Sequence, residues 1–356
     1  MAEIGDPAPR PGSRAFVGRD REVAELLAGM EDAVGGRGRL FLVVGEPGIG
    51  KTWLAEHVAT HAISQGTRVL WGRCWEGGGA PPFWPWRQMI RALAEDLDQQ
   101  TLTAWLGAGA AQVAQLVPSL AERVGTTTTP GVPSPGSDAA RFSLFEAVAG
   151  LFRRAASAQP LLLILDDLHA ADEPSVVLLQ FLARDLRGAR LLVVATCREV
   201  VARGPGNIGE AVGELVREGQ QLNLRGLDRG AVGALIEMLS GVVPSQARVA
   251  AVHERTEGNP LFVREAVRLL ATEAALEWPG RAVPIPGTIR AVIGRRLAPL
   301  SADAVQVLSA GAVVGREFDL SLVGPASDLP AERVLGGLSE AVDLGVAEEP
   351  GTGGYR

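Results

Sequence analysis

The stretch GEPGIGKT, Gly45 to Thr52, contains the only lysine of the chain, Lys51. Glycines at 45, 48 and 50 free the backbone to turn successive N–H groups toward one point, the arrangement that cradles phosphate oxygens. A helix beginning at Lys51 would aim its positive end at the same anion. The lysine ammonium is a compact charge for the β- and γ-phosphates of a nucleoside triphosphate, and the Thr52 hydroxyl is an oxygen ligand for Mg2+. A planar, forked guanidinium does not suit that position, which accounts for one lysine in a chain whose other long basic side chains are arginines. Gly45, Glu46, Pro47, Gly48, Ile49, Gly50, Lys51, Thr52 and Trp53 are therefore expected to surround bound ATP or ADP.

Two more stretches could complete the chemistry. The apolar run LLLILDD ends in Asp166 and Asp167. A buried parallel strand delivers such residues to its carboxyl end, beside the glycine loop. Asp166 is expected to hold Mg2+, directly or through water, and Asp167 to polarise the attacking water. The run ending in ATCR brings Thr196 and Arg198 near the γ-phosphate. A well-placed guanidinium there is worth roughly 10³–10⁵ in rate. Taken alone, each stretch also reads as an acidic strand end or a surface arginine; the glycine loop is what selects the chemical reading. Lys51, Asp167 and Arg198 form the candidate catalytic set, and Thr52 and Asp166 the candidate metal set.

These residues need strands to carry them. LFLVVG (40–45), RVLWG (68–72), PLLLILDD (160–167), ARLLVVATCR (189–198) and QLNLRGL (221–227) are short apolar runs of the kind that form buried strands. Helices are predicted over 19–34, 51–64, 86–98, 101–123, 138–157 and 174–187, the fifth with Phe142, Phe145, Val148, Leu151 and Phe152 on one face. Strands alternating with helices predict an α/β fold, a P-loop core with a parallel sheet. The alternation stops near 227. Residues 228–276 read as helices only, and 288–349 as short helices with a hairpin in GVAEEPGTGGYR. The expected division is a flexible lead-in (1–14), an α/β core (15–227) containing a mobile loop (125–137), a helical lid (228–284) and a winged-helix-like unit (285–356) cut short at its end.

Composition narrows the function. The chain has 356 residues, a net charge of −7 and a pI near 5.3, which argue against a nucleic-acid or anionic-membrane binder as a whole. No stretch reaches the ~18 apolar residues of a membrane span, and the polar start lacks a signal-peptide core. Cys74 and Cys197 show no paired spacing, which suits a reducing, cytoplasmic setting. His57 and His61 stand four apart, but no third metal ligand follows, so they read as a helix-surface pair.

FVGRDRE (16–22), GEPGIGKT, LILDDLHAADEPSVVLLQFLARDL, ATCRE and EGNPLFVRE (257–265) occur in that order. Together they resemble the ATPase module of the signal-transduction ATPases with numerous domains, found in large LuxR-type transcriptional regulators and in some nucleotide cyclases. The resemblance spans about 14–350. It implies that Val17, Gly18 and Arg19 contact the base, that Pro260 stacks near adenine, that Asn259 helps cap a lid helix, and that Arg198 is a sensor arginine. Ala170 stands where the family usually has tryptophan. On its own, Pro260 reads equally as a proline at a helix's first position.

In CWEGGGAPPFWPW (74–86), Phe83 and Trp86 are expected to anchor the next helix in the core; an aromatic lid or a partner loop is the alternative. The candidate recognition helix near 330–344 holds Arg333 among Glu332, Glu340 and Asp343, the wrong charge for a phosphate backbone. The expected function is a regulatory switch that binds ATP with Mg2+ and hydrolyses it slowly. The expected partners are ATP, a second copy of the chain in the ATP state, an inducer or regulatory protein, and DNA only through a domain absent from this chain. A DNA-dependent loader, a module of a signalling enzyme such as a nucleotide cyclase, and a scaffold that never hydrolyses are the alternatives.

Overall fold

The computed structural model describes residues 16–75, 79–125, 138–198, 207–272, 294, 297–315, 318–344, 346–347 and 354–355. The expected lead-in, nearly all of the expected mobile loop and the junction placed at 284–285 lie outside the described residues.

Five parallel strands form the sheet: β1 (Arg39–Gly45), β2 (Arg68–Arg73), β3 (Leu161–Asp166), β4 (Leu191–Cys197) and β5 (Gln220–Leu224), in the order β2-β3-β4-β1-β5. β3 and β4 are buried along their whole length, as an apolar run without alternation requires. Alternate residues serve opposite faces. Phe41, Val43, Leu162, Ile164, Leu192 and Val194 pack with Leu26 and Met30 of α1 (Asp20–Val34) and Leu54 and Val58 of α2 (Lys51–Ser64). Leu40, Leu42, Leu161, Leu163, Leu165, Leu191 and Val193 pack against α3 (Trp84–Glu95), α7 (Asp138–Ala158), α8 (Glu173–Arg184) and α9 (Asn207–Glu218). Each fully buried leucine contributes about 1.5–3 kcal/mol to this two-sided core.

The order carries a consequence for the site. β1 pairs with β4 and β5, not with β3, so the strands that carry the loop and Asp166 are not adjacent in the sheet, although Thr52 at the end of the loop still reaches Asp166 as the strand-end reading expects. β4 lies between and brings Thr196, opposite Val43 of β1, into the gap.

Several predicted elements differ in extent. The single helix expected over 101–123 is three: α4 (Gln99–Leu106), α5 (Ala110–Leu116) and α6 (Ser119–Val124). Gly107 at φ 52 ends the first, and Pro118, with no N–H to donate, stands before the third. Phe142, expected on the buried face of α7, is 54% exposed and packs edge-on against Phe181. Trp86 is fully buried and its indole N–H donates to Ser175 O at 3.0 Å, tying α3 to α8.

After β5 the described residues form helices and their connecting turns, apart from one short ladder. α10 (Arg229–Ser240), α11 (Gln246–Thr256) and α12 (Pro260–Thr272) gather around Val232, Ile236, Val252 and Val263, with Val17 against the same cluster. Gly18, at φ 70, meets α10 so closely that a Cβ would lie 2.3 Å from that of Ala231. Farther on, α13 (Ala302–Val314), α14 (Leu320–Ser327) and α15 (Ala331–Asp343) enclose Val307, Val323, Val334 and Leu338. Most of the stretch in which a terminal hairpin is expected lies outside the described residues; among those described, β7 (Gly354–Tyr355) pairs antiparallel with the distant β6 (Phe318–Asp319), and Phe318 stacks on Tyr355.

Trp86→Ala removes a large buried side chain that also carries a hydrogen bond, and is expected to cost about 3–5 kcal/mol. Urea unfolding followed by circular dichroism measures it, and a loss under 1 kcal/mol would show that the ring is not an anchor.

Candidate functional site

The loop from Gly45 to Gly50 leaves β1 and enters α2 through Gly48 (φ 79) and Gly50 (φ 103), backbone angles that only glycine adopts without strain. Lys51 is the first residue of α2 and is 7% exposed. Its Nζ donates to Gly45 O and Glu46 O, both at 2.9 Å. Burial lowers its pKa from the ordinary lysine value, while the nearby Asp167 opposes the shift. Arg19, buried before α1, donates to Ile49 O at 3.1 Å and to Arg225 O, and pairs with Glu22 at 3.3 Å.

The carboxylates follow from β3 and β4. Thr52 Oγ1 lies 3.0 and 3.1 Å from the two oxygens of Asp166. Thr196, fully buried, donates to Asp166 Oδ1 at 2.7 Å and accepts the Asp167 N–H at 2.8 Å. A single hydroxyl thus fixes both aspartates. Asp167 adopts φ 59, which turns the chain out of the sheet, and its carboxylate is 43% exposed, 3.8 Å from His169 Nδ1. The hydroxyl of Thr52 and the carboxylate of Asp166 are hard oxygen donors of the type Mg2+ takes, side by side at the lysine end of the loop.

A cavity of about 800 Å³ opens here. Its lining combines the charged and polar side chains of Lys51, Thr52, Asp167 and Arg198 with the apolar ones of Phe16, Val17, Leu227, Leu235, Met238, Leu239 and Pro260. That combination suits a phosphorylated ligand with a flat apolar ring. Arg264 of α12 also lines it, its guanidinium 5.1 Å above the Trp53 ring, in cation–π range.

Pro47, Gly48, Ile49, Gly50, Lys51, Thr52, Trp53, Asp167, Arg198, Val17, Arg19 and Pro260 all line this one cavity. Asp166 reaches it through Thr52. Gly18 is turned to α10 instead. Gly45 and Glu46 contribute the carbonyls that hold Lys51. Arg19, placed against the base by resemblance, has its guanidinium engaged by two backbone carbonyls. Leu227, Leu235, Met238, Leu239, Leu261 and Arg264 were not anticipated. An apolar periodicity marks α10 residues as buried, but not that a ligand cavity is what some of them face. Among the described residues, no group of three or more His, Cys, Asp or Glu side chains could hold a metal.

Strand, glycine loop, helix, and a threonine-held aspartate on a parallel sheet with β4 between β1 and β3 define an α/β P-loop protein of the AAA+ fold, with a helical C-terminal region. The model of the AAA ATPase domain matches residues 15–194, and the chain belongs to that family, whose members bind nucleotide, typically with Mg2+. No curated protein matches the chain in sequence. Among solved structures it is similar to a signal transduction ATPase with numerous domains carrying a tetratricopeptide repeat sensor, from Pyrococcus horikoshii, at 17% identity and a TM-score of 0.45, covering 97% of this chain and 41% of that one. The chain thus spans 41% of that relative's length. It is also similar to Cdc6p from Pyrobaculum aerophilum (12% identity, TM-score 0.46, 96% and 92% covered). A third likeness is to a RuvB variant from Thermotoga maritima (13% identity, TM-score 0.42, 95% and 92% covered).

Thr196→Val keeps the shape and removes the hydroxyl, leaving the Asp167 N–H and one Asp166 oxygen without their partner. Stability should fall by about 1–3 kcal/mol on urea unfolding. Nucleotide affinity should also lose much of its Mg2+ dependence in titrations with and without EDTA; unchanged dependence would mean that Asp166 needs no such positioning.

Proposed function

We propose that the chain is an ATP-binding, slowly hydrolysing switch in which the bound nucleotide sets the arrangement of the α/β core and the helices that follow it. One observation carries the reading. The cavity is lined both by the phosphate loop and the strand-end residues and by Leu235, Met238, Leu239, Pro260, Leu261 and Arg264 of α10 and α12. A ligand held there touches both parts, so any difference in affinity between their arrangements is felt by both. Moving such an equilibrium from 1:99 to 99:1 takes about 5.5 kcal/mol of differential affinity.

In this reading α10 to α12 are a lid (228–284), and the described part of 285–356 is a winged-helix-like unit that packs internally. Lys51 exchanges its two backbone carbonyls for phosphate oxygens. Thr52 and Asp166 would hold Mg2+, which would supply charge neutralisation at the phosphates. Asp167 orients the water that attacks the γ-phosphorus. The bond to the bridging oxygen breaks, ADP leaves, and the γ-phosphate departs as inorganic phosphate. Arg198 stabilises charge on the transferring group. Val17 and Pro260 bound the base.

The multidomain setting is proposed on the sequence resemblance: a cytoplasmic transcriptional regulator of the LuxR type, or a signalling enzyme such as a nucleotide cyclase. Self-association in the ATP state, and an inducer or regulatory protein acting on the switch, belong to the same proposal. DNA would be contacted through another domain. Arg333, the one basic residue of α15, is paired with Asp303, and Glu340 accepts from Ser301, which disfavours α15 as a phosphate-backbone reader. No helix among the described residues is long and apolar enough to cross a membrane.

Lys51→Ala should abolish measurable binding of fluorescent ATP and ADP analogues; retained affinity would remove the basis of the proposal. Asp167→Ala should bind both nucleotides while phosphate release falls about 10²–10⁴-fold. Equal release by the wild type and Asp167→Ala would favour a scaffold that does not hydrolyse.

A further inference from the structure

Asn259 is 3% exposed and stands between the phosphate loop and the start of α12. Its Nδ2 donates to Pro47 O at 3.1 Å, and its Oδ1 accepts the Leu261 N–H at 3.1 Å. The same Leu261 N–H reaches Gly48 O at 3.3 Å. A Cβ on Gly48 would lie 2.7 Å from Leu261 Cβ and 3.1 Å from Asn259 Oδ1. Loop and helix therefore meet across a surface that leaves no room for a methyl group. The segment before Asn259 is anchored as well. Glu257 and Gly258 take φ 50 and 72, and Gly258 O accepts the Leu227 N–H at 2.8 Å, just beyond β5.

Capping α12 does not require an amide, because aspartate and serine cap a helix equally well. Only a side chain that accepts and donates together can cap the helix and also hold Pro47 O. A loop that binds an anion with its N–H groups must keep its carbonyls turned away. The bond from Asn259 to Pro47 O favours that form. Whatever stabilises the loop's anion-binding form then strengthens its bond to the lid, and the reverse holds by linkage.

Resting on the nucleotide-switch reading, we propose that Asn259 is a positioning residue that couples occupancy of the phosphate loop to docking of the lid through the Pro47 carbonyl. This route runs through the back of the loop and is separate from any contact between the lid and the base.

Asn259→Asp tests it. The carboxylate keeps the cap on Leu261 N–H but sets an oxygen against Pro47 O. On the full chain, ADP binding with Mg2+, thermal melting, and amide exchange over 229–272 with and without ADP are measured. In the wild type, ADP should slow exchange in this region about tenfold, a typical coupling. In Asn259→Asp, ADP should still bind, about 5–10-fold more weakly, with the melting temperature lowered but the transition still cooperative, and the slowing lost. Asn259→Ser, which caps but cannot reach Pro47, should lose the slowing too. The coupling is refuted if either variant binds ADP and keeps the wild-type slowing, or if the wild type binds ADP without slowing. A wild type that binds no ADP instead overturns the nucleotide reading itself.

Discussion

Every backbone carbonyl from Gly45 to Ile49 is held by a donor from outside its own turn. Lys51 holds the first two, Asn259 the third, the Leu261 N–H the fourth and Arg19 the fifth. A loop with three glycines would otherwise sample many conformations, and ordering it costs backbone entropy. Each of these bonds returns only about 0.5–1.5 kcal/mol, or 1.5–3 where the donor is charged. Together they select one loop form with its carbonyls outward. The donors come from α2, the segment before α1, and the start of α12, so the loop's shape depends on three parts of the chain at once.

The same constraint explains why the charged residues around the loop are buried without ion partners of equal weight. Burial lowers the Arg19 pKa, and Glu22 only partly offsets it. The guanidinium is kept charged by carbonyl oxygens on both sides of the β1–β5 edge. Lys51 is in the same position, held by two carbonyls, with Asp167 only partly offsetting its burial. Both cations are thus placed to respond when an anion enters: Lys51 directly, Arg19 through the loop it grips.

On the far side of the site the organising group is a neutral hydroxyl. Thr196 stands between β1 and β3 because β4 is inserted there, and it holds the Asp166 side chain and the Asp167 backbone together. Asp166 is thereby aimed at Thr52, while Asp167 turns out toward the cavity. Two adjacent aspartates acquire different placements from one hydrogen-bonded residue on a neighbouring strand.

Local signals made much of this legible. Glycines spaced around one lysine, apolar runs ending in polar residues, and the alternation of strands with helices are properties of short segments, and they determined the P-loop, the parallel sheet and most of the charged residues of the site. The stretch 101–123 reads as one helix because its apolar pattern continues through Gly107 and Pro118, the two residues at which the chain breaks into three. What tertiary structure alone decided is whatever depends on which segments meet. Strand order placed Thr196 at the centre, a contact across more than 200 residues joined Asn259 to Pro47, and the folding back of α10 and α12 made an apolar lining for the cavity from residues that in sequence look like ordinary core. Periodicity records that a side chain is buried; only the packed chain determines against what, because that choice is made by segments distant in sequence competing for the same surface.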